Sequence, residues 1–207
     1  MKTILFQGDS ITDTGRDKQN PTSLGNGYAS MTASKICVDY PGLYECFNRG
    51  ISGNRSVDLY ARIKAHGTNM KPDIMTILIG INDVWHEFGS QNGVDAPKYE
   101  RIMDMFFSEF FETCPDTKIF LLEPFVLKGS ANEEQFDAWW EETQLRVEAC
   151  RRLAKKYNLT LIPIQAKLDE LAALTSNSYV LRDGVHPTLT GHELISRLVY
   201  DALKPVL

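Results

Sequence analysis

The stretch Ile74-Met75-Thr76-Ile77-Leu78-Ile79 is almost wholly apolar, and Gly80-Ile81-Asn82-Asp83 follows it directly. A short apolar run that is rich in β-branched residues and ends at a glycine is typical of a β-strand buried on both faces. Such strands lie at the centre of parallel sheets, because helices cover both sides of those sheets. The run therefore predicts the central strand of an α/β fold.

Four further apolar runs alternate with longer amphipathic segments along the chain. They predict strands at Thr3–Gln7, Tyr44–Asn48, Lys118–Leu122 and Leu159–Ile164. Strands that alternate with helical segments indicate parallel β-α-β units. At 207 residues the chain has the length of one domain. We expect a single domain over residues 1–207, a three-layer α/β/α sandwich with a five-stranded parallel sheet in the order 2-1-3-4-5.

The segments between the strands predict helices and two long polar loops. The predicted helices are Tyr28–Lys35, Val57–Ala65, Pro97–Cys114, Glu133–Tyr157 and a last one after Pro187. Ser130 and Glu133 have the spacing of a capping box for the fourth helix, and Pro187 suits the first turn of the fifth. Two polar stretches, Ile11–Gly27 and Trp85–Asp95, are expected to be loops at the rim of a pocket.

Charge and composition exclude several classes of function. The net charge of −5 and the lack of a Lys/Arg cluster argue against a nucleic-acid or anionic membrane surface. No apolar stretch is long enough to span a bilayer. Thr3–Gln7 is too short for the core of a signal peptide and leads straight into Gly8-Asp9-Ser10, so we expect a cytoplasmic protein. The scattered cysteines are expected to be reduced and mostly buried; they are Cys37, Cys46, Cys114 and Cys150.

Residues that carry chemistry follow the predicted strands at four places. Ser10 follows the first strand, Gly53 the second and Asn82 the third, while Asp183-Gly184-Val185-His186 lies near the end of the chain. The carboxyl ends of parallel strands share one edge of the sheet, where sites gather. A serine, a histidine, a carboxylate and two further donors are the groups that acyl transfer needs. Their joint presence predicts a serine hydrolase.

Each of these groups also has a simpler structural explanation. Asp9 and Ser10 could merely cap a helix, and the stretch is not the Gly-x-Ser-x-Gly turn of the α/β-hydrolases. Asp183, three residues before His186, could orient the imidazole as in a catalytic triad, or could belong to an ordinary turn. The other histidines carry weaker signals: His66 and His192 fit surface or cap positions, and His86 could line the rim.

The middle of the chain offers donors for an oxyanion. The side-chain amide of Asn82 and the backbone N–H of Gly53 could both donate to one, although Asn82-Asp83 could be a plain turn and Gly53 a loop glycine. Asp9 and Asp83 are expected to hold loops in place by accepting backbone N–H bonds. Trp85 could wall an acyl pocket or stack on a sugar ring. Trp139-Trp140 is expected to pack or to form a subunit contact. No phosphate loop or metal-binding motif occurs, so we expect no cofactor.

Taken together, the four segments resemble the signature blocks of the SGNH (GDSL-type) hydrolases. The likeness runs from Gly8-Asp9-Ser10 through Gly53 and Gly80-Ile81-Asn82-Asp83 to Asp183-Gly184-Val185-His186. It implies a flavodoxin-like sheet and a triad of Ser10, Asp183 and His186. It also implies an oxyanion hole made by the Ser10 and Gly53 amides and the Asn82 side chain.

A narrower resemblance is to the intracellular acetylxylan esterases of that family. It rests on Asn48-Arg49-Gly50-Ile51-Ser52-Gly53-Asn54, Gly80–Trp85, Glu123-Pro124-Phe125 and Val185-His186-Pro187. It implies removal of acetyl groups from xylo-oligosaccharides and a tendency to form homo-oligomers. A lysophospholipase, thioesterase or aryl esterase with the same triad remains the alternative. A catalytically silent carbohydrate-binding or scaffold protein is a further alternative.

Overall fold

The computed structural model describes residues 1–207 and contains one five-stranded sheet. The strands are β1 (Lys2–Gly8), β2 (Tyr44–Asn48), β3 (Ile74–Leu78), β4 (Lys118–Leu122) and β5 (Thr160–Ile162). They are parallel throughout and lie in the order β2-β1-β3-β4-β5. The predicted sandwich and strand order are therefore confirmed. All of β3 is buried, as expected for a central strand.

Ten α-helices connect and follow the strands. They are α1 (Ser10–Asp13), α2 (Tyr28–Asp39), α3 (Ser56–Ala61), α4 (Ile63–His66), α5 (Ile81–Ser90), α6 (Ala96–Thr113), α7 (Phe136–Tyr157), α8 (Gln165–Leu174), α9 (Asn177–Val180) and α10 (Leu189–Leu203). None of them combines the length and the apolar character that crossing a bilayer requires.

The sheet separates two hydrophobic cores, because alternate strand residues point to opposite faces. Ile4 and Phe6 of β1 face one core, together with α2, α8 and α10. Leu5 of β1 faces the other core, together with α3, α6 and α7. The layers hold the sheet rigid, so the loops at its carboxyl edge start from fixed positions. In register, Gly8 pairs with Leu78, which brings the ends of β1 and β3 side by side.

The prediction of a loop over Trp85–Asp95 was wrong for Trp85–Ser90, which belong to α5, and is confirmed for the rest of the stretch, which connects α5 to α6. Glycine and asparagine residues made this stretch look like a loop. Ile81 and Val84 on the first turn are buried in the core, however, and their burial stabilises the helix despite its composition.

Two predicted helix starts also differ from the structure. The helix α7 begins at Phe136 after a 3₁₀ turn at Glu133–Gln135, so Ser130 caps nothing. Asn132 instead closes a loop by accepting from the Gly129 N–H (2.9 Å) and donating to Leu127 O (3.0 Å). At the last helix, Thr188 caps α10, so Pro187 lies outside it. There Pro187 forms an isolated antiparallel bridge with Leu181.

The cysteines are free, and two of the four are buried. Cys114 and Cys150 lie inside the protein, Cys46 is half-buried and Cys37 is exposed. None of the cysteines forms a disulfide, as the sequence predicted. The prediction that most of them are buried holds for only two of the four.

Candidate active site

The structure brings Ser10, His186 and Asp183 into one hydrogen-bonded chain. Ser10 Oγ lies 3.0 Å from His186 Nε2, although 176 residues separate the two. His186 Nδ1 lies 2.7 Å from Asp183 Oδ2. The carboxylate holds the proton on Nδ1, which leaves Nε2 free to accept from the Ser10 hydroxyl. The arrangement can deprotonate Ser10 during an attack on a carbonyl.

Asp183 is itself held by a tight turn. Its Oδ1 accepts from the backbone N–H groups of Val185 (3.0 Å) and His186 (2.7 Å). Gly184 makes the turn at φ 96°, and a side chain there would meet Leu127 O at 2.5 Å. Partial burial raises the pKa of Asp183, but the hydrogen bonds from His186 and Val185 outweigh it, so the pKa lies below its usual value. Asp183 is therefore ionised whenever His186 needs a counter-charge.

Ser10 lies on the first turn of α1, directly after β1, and not in a loop. Asp9 caps this helix, and its Oδ1 accepts from the Ile11 N–H at 2.9 Å. Both sequence interpretations of Asp9-Ser10 therefore hold geometrically: Asp9 is the cap, and the Ser10 hydroxyl remains in contact with His186. Burial raises the pKa of Asp9 to about 7.

Asn82 and Gly53 lie on the segments that follow β3 and β2. Asn82 occupies the first turn of α5, where its Nδ2 donates one N–H to Asn54 O at 3.1 Å. The second N–H of this amide is available to a ligand. The Gly53 N–H makes no hydrogen bond within the protein, and no atom lies within 4 Å of the place a side chain would take. Its φ of 80° favours glycine.

Asp83 ties these two segments together. It is fully buried and accepts from the Ser56 N–H (3.0 Å) and from the Ser56 hydroxyl. Burial raises the pKa of Asp83 to about 6. Asp9 and Asp83 thus both hold backbone N–H groups, as the sequence predicted.

Trp85 lies on α5 beside the triad, one turn after Asn82. Its ring is 5.5 Å from the His186 ring and 5.5 Å from Trp139, measured between centroids. Phe88 stacks on Trp139 at 5.6 Å. These three rings line one side of a cavity of about 290 Å³, here called the aromatic cavity. Its rim is polar: Ser130, Asn132, Glu133, Glu134 and Gln135.

A second cavity, of about 400 Å³, opens directly onto the serine, and is here called the Ser10 cavity. Its lining residues are Ser10, Ile11, Thr14, Gly15, Ser52, Arg182, His186, Pro187 and His192. The triad therefore lies between two spaces of different character, one aromatic and one polar.

His192 was predicted to be a surface or cap residue, and the surface alternative was wrong, because the residue is buried and lines the Ser10 cavity. It is 6% exposed, and its Nδ1 accepts from the Tyr28 N–H at 3.2 Å. Burial lowers the pKa of His192 to about 4, which keeps the ring neutral with its proton on Nε2. The apolar stripe of α10 could have indicated this, since Ile195 and Val199 continue the same face.

Arg62 is a further residue that the sequence did not single out. Its guanidinium donates to Asn54 Oδ1 (2.7 Å), Gly8 O (3.0 Å) and Arg49 O (2.8 Å). It also donates to Gln7 Oε1 at 2.6 Å. Arg62 thus joins the end of β1 to the loop that carries Gly53.

Comparison with known proteins places this site in a family. The GDSL-like lipase/acylhydrolase family matches residues 6–194. The chain belongs to this family. The resemblance to SGNH hydrolases is confirmed, and this GDSL-like protein is a carboxylic ester hydrolase.

Its relatives include an acetylxylan esterase of Geobacillus stearothermophilus; the two are 33% identical in an alignment 204 long that covers 94% of this chain and 90% of the relative. A GDSL-like lipase structure from Parabacteroides merdae superimposes with a TM-score of 0.93 at 34% identity, covering 98% of this chain and 95% of that one.

Structures of the Geobacillus esterase superimpose with a TM-score of 0.87 at 29% identity, covering 98% of the GDSL-like chain and 94% of theirs. The catalytic mutants of that enzyme replace a serine, an aspartate and a histidine three residues after the aspartate. Another mutant replaces the tryptophan directly before the aspartate.

Proposed function

We propose that this protein is a serine acetylesterase that removes O-acetyl groups from xylo-oligosaccharides or similar carbohydrates. The observation that carries the proposal is the contact of 3.0 Å between Ser10 Oγ and His186 Nε2, backed by Asp183. The catalytic mutants of the Geobacillus esterase replace the same three residue types as Ser10, Asp183 and His186. Their aspartate and histidine are also three residues apart, as in this chain.

The proposed reaction has two halves. In the first, His186 Nε2 takes the Ser10 proton as Oγ attacks the ester carbonyl, and Asp183 stabilises the imidazolium. The Ser10 and Gly53 N–H groups and the Asn82 amide hold the oxyanion. His186 then gives its proton to the departing sugar hydroxyl, which leaves an acetyl group on Oγ. In the second half, water loses its proton to His186, attacks the acetyl carbonyl, and releases acetate and Ser10.

The preference for carbohydrate rests on the aromatic cavity. Trp85 beside the triad and Phe88 one turn further along α5 offer aromatic faces to the cavity, and the exposed Ser130 and Glu133 offer polar atoms. A sugar ring presents an apolar face and a ring of hydroxyls, so this combination suits it better than it suits an alkyl chain. The similarity to an acetylxylan esterase supports the same choice.

A chain-length series tests the acyl preference. We expect kcat/KM for p-nitrophenyl esters to fall from acetyl to octanoyl, because neither space beside the triad has the apolar lining that a long chain needs: polar residues contribute to the aromatic cavity and dominate the Ser10 cavity. Acetate release from acetylated xylo-oligosaccharides, compared with hydrolysis of lysophospholipid and acyl-CoA, separates the proposal from its alternatives. Activity that rises towards octanoyl would exclude an acetylesterase.

Replacement of the nucleophile tests the mechanism. Ser10→Ala is expected to lower kcat by roughly 10⁴-fold or more, because the triad acts as a unit. Ser178→Ala, which removes a serine hydroxyl from an exposed site, serves as the control and should retain full activity. Near-normal hydrolysis by folded Ser10→Ala would refute the assignment. Activity is expected to survive EDTA, since each step above uses only protein groups and water.

Three expectations from the sequence stay predictions. They are the single domain over residues 1–207, the cytoplasmic location and the homo-oligomer. Light scattering on the purified chain measures the oligomer, and limited proteolysis that leaves one resistant fragment would support the single domain.

A further inference from the structure

Arg182 lines the Ser10 cavity with no partner for its guanidinium. Its backbone N–H donates to His186 O at 2.9 Å, but the charged end makes no hydrogen bond and no ion pair. The residue is exposed. A guanidinium binds a carboxylate through two parallel hydrogen bonds, and here all of its donors are available.

Arg182 brings a positive charge to the lining of the Ser10 cavity, although the whole chain carries −5. No carboxylate lines the Ser10 cavity. Of the nearby acids, Asp183 is engaged with His186, and Asp13 accepts from Ser52 while pairing with Arg16 at 3.5 Å. Neither is free to neutralise Arg182. The cavity therefore favours a negatively charged group on the ligand.

The sequence just before Asp183 differs from that of the Geobacillus esterase. In that enzyme the residue directly before the aspartate of the catalytic mutants is a tryptophan, whereas this chain has Arg182 at the same offset. An aromatic side chain can stack on a neutral sugar, while an arginine adds charge recognition. The two proteins therefore differ in the side-chain chemistry available next to the same kind of triad.

We propose that Arg182 binds a carboxylate of the substrate, so that the preferred substrates are acetylated oligosaccharides containing a uronic acid. The inference rests on the proposed acetylesterase function and narrows its substrate class. His192 offers a second donor, since its neutral ring carries a proton on Nε2 and lines the same cavity. The carboxylate could belong to the acetylated ring itself or to a neighbouring branch, and the test distinguishes the two.

The test compares three acetylated substrates: a neutral xylotriose, a xylotriose with a glucuronic acid branch, and a trigalacturonate. We expect kcat/KM to be about fivefold higher for at least one acidic substrate than for the neutral one. Arg182→Gln should bring this ratio close to one, and Arg182→Lys should fall between. Arg101→Gln removes another exposed and unpaired arginine and should leave the ratio unchanged. Salt at about 0.5 M should shrink the preference by screening.

Inhibition separates failure of this inference from failure of the proposed function. Unacetylated trigalacturonate and its neutral methyl ester are tested as inhibitors of p-nitrophenyl acetate hydrolysis, which any esterase of this kind supports. Tighter inhibition by the acid in the native chain, lost in Arg182→Gln, supports the site even if no carbohydrate is deacetylated. Equal inhibition constants for acid and ester overturn it. The inference is also overturned if Arg182→Gln leaves the ratio of kcat/KM between acidic and neutral substrates unchanged, even if the acetylesterase activity is present.

Discussion

Asp9, next to the proposed nucleophile, is an unusual residue because half of its carboxyl group has no partner. The side chain is fully buried, and Oδ2 makes no hydrogen bond while Oδ1 accepts from Ile11. Burial raises the pKa of Asp9 to about 7, and a repulsive interaction with Asp83 adds to the shift. The carboxyl group of Asp9, directly before Ser10 in the sequence, therefore titrates near neutral pH.

The stability of Asp9→Asn should depend less on pH than that of the native chain. The pKa of Asp9 rises from 3.8 in the unfolded chain to about 7 in the folded one. The native chain therefore loses stability from Asp9 as the pH rises through this interval. Asparagine keeps the cap and cannot ionise. Between pH 4 and pH 8, the unfolding free energy of Asp9→Asn should rise by about 4 kcal/mol relative to that of wild type, as measured by urea unfolding.

Asp17 supplies the control for this measurement. Its Oδ1 accepts from the Gln19 N–H at 2.9 Å, the same local contact as at Asp9, but the residue is exposed. Asp17→Asn should give a pH profile parallel to that of wild type. If the Asp9→Asn profile is also parallel, the Asp9 carboxyl ionises normally and its burial has no electrostatic consequence.

Asn82→Ala should reduce catalysis without unfolding the protein. Removal of one oxyanion donor typically lowers kcat by 10²–10³-fold, and KM should change much less. The lost bond to Asn54 O should cost about 1 kcal/mol of stability. Steady-state kinetics with p-nitrophenyl acetate provide the measurement. Asn92→Ala, at an exposed asparagine after α5, is the control. Equal kcat in both variants would mean that Asn82 does not belong to the oxyanion hole.

At the scale of elements, the sequence predicts strands better than it predicts helix ends. The ends of β2 and β4 match the predicted ends, and each strand pairs with its neighbour over that whole length. The start of α7 and the extent of α5 depend on contacts with distant parts of the chain. The loop before α7, for example, is held where Ala131 N–H donates to Asp183 O at 3.0 Å. No local pattern encodes such a contact.

The same distinction explains which site residues the sequence could reveal. Ser10, Asn82 and His186 follow recognisable motifs, so their proximity at one sheet edge could be expected. Arg182 and Arg62 belong to no motif, and their surroundings come from segments far away in sequence. The roles of these two arginines can therefore be inferred only from the distances between their side chains and the surrounding residues in the folded chain.

Arg62→Lys should loosen the loop that carries Gly53. The native guanidinium bonds to Asn54 and Gly8 at once, and a single ammonium cannot span both positions. We expect kcat to fall by roughly tenfold or more, since small displacements of an oxyanion donor are costly, and KM to change less. Hydrogen exchange in residues 49–55 should accelerate. Arg152→Lys, in an exposed pair with Glu100, is the control; unchanged exchange in the loop would mean that Arg62 does not position Gly53.

At the scale of the whole molecule, the site joins parts of the chain that are remote in sequence. Ser10 follows β1, Gly53 follows β2, Asn82 follows β3, and His186 precedes α10. The sheet order places β1 and β3 side by side at the centre, so their following turns face each other. Unfolding of either end of the chain must therefore separate the hydroxyl from the imidazole.

A covalent adduct on Ser10 should stabilise the whole fold for this reason. A small alkyl fluorophosphonate forms a bond from phosphorus to Oγ and releases fluoride, and its phosphoryl oxygen can accept from Gly53 and Asn82. Contacts that exist only in the folded state raise its stability. Each kcal/mol corresponds to about 2–4 °C in Tm for a chain of this size, so we expect Tm to rise by about 3 °C or more in calorimetry. Ser10→Ala, treated identically, should show no rise, and Asn82→Ala should show a smaller one. A fully labelled protein with unchanged Tm would mean that the three segments do not meet around the adduct.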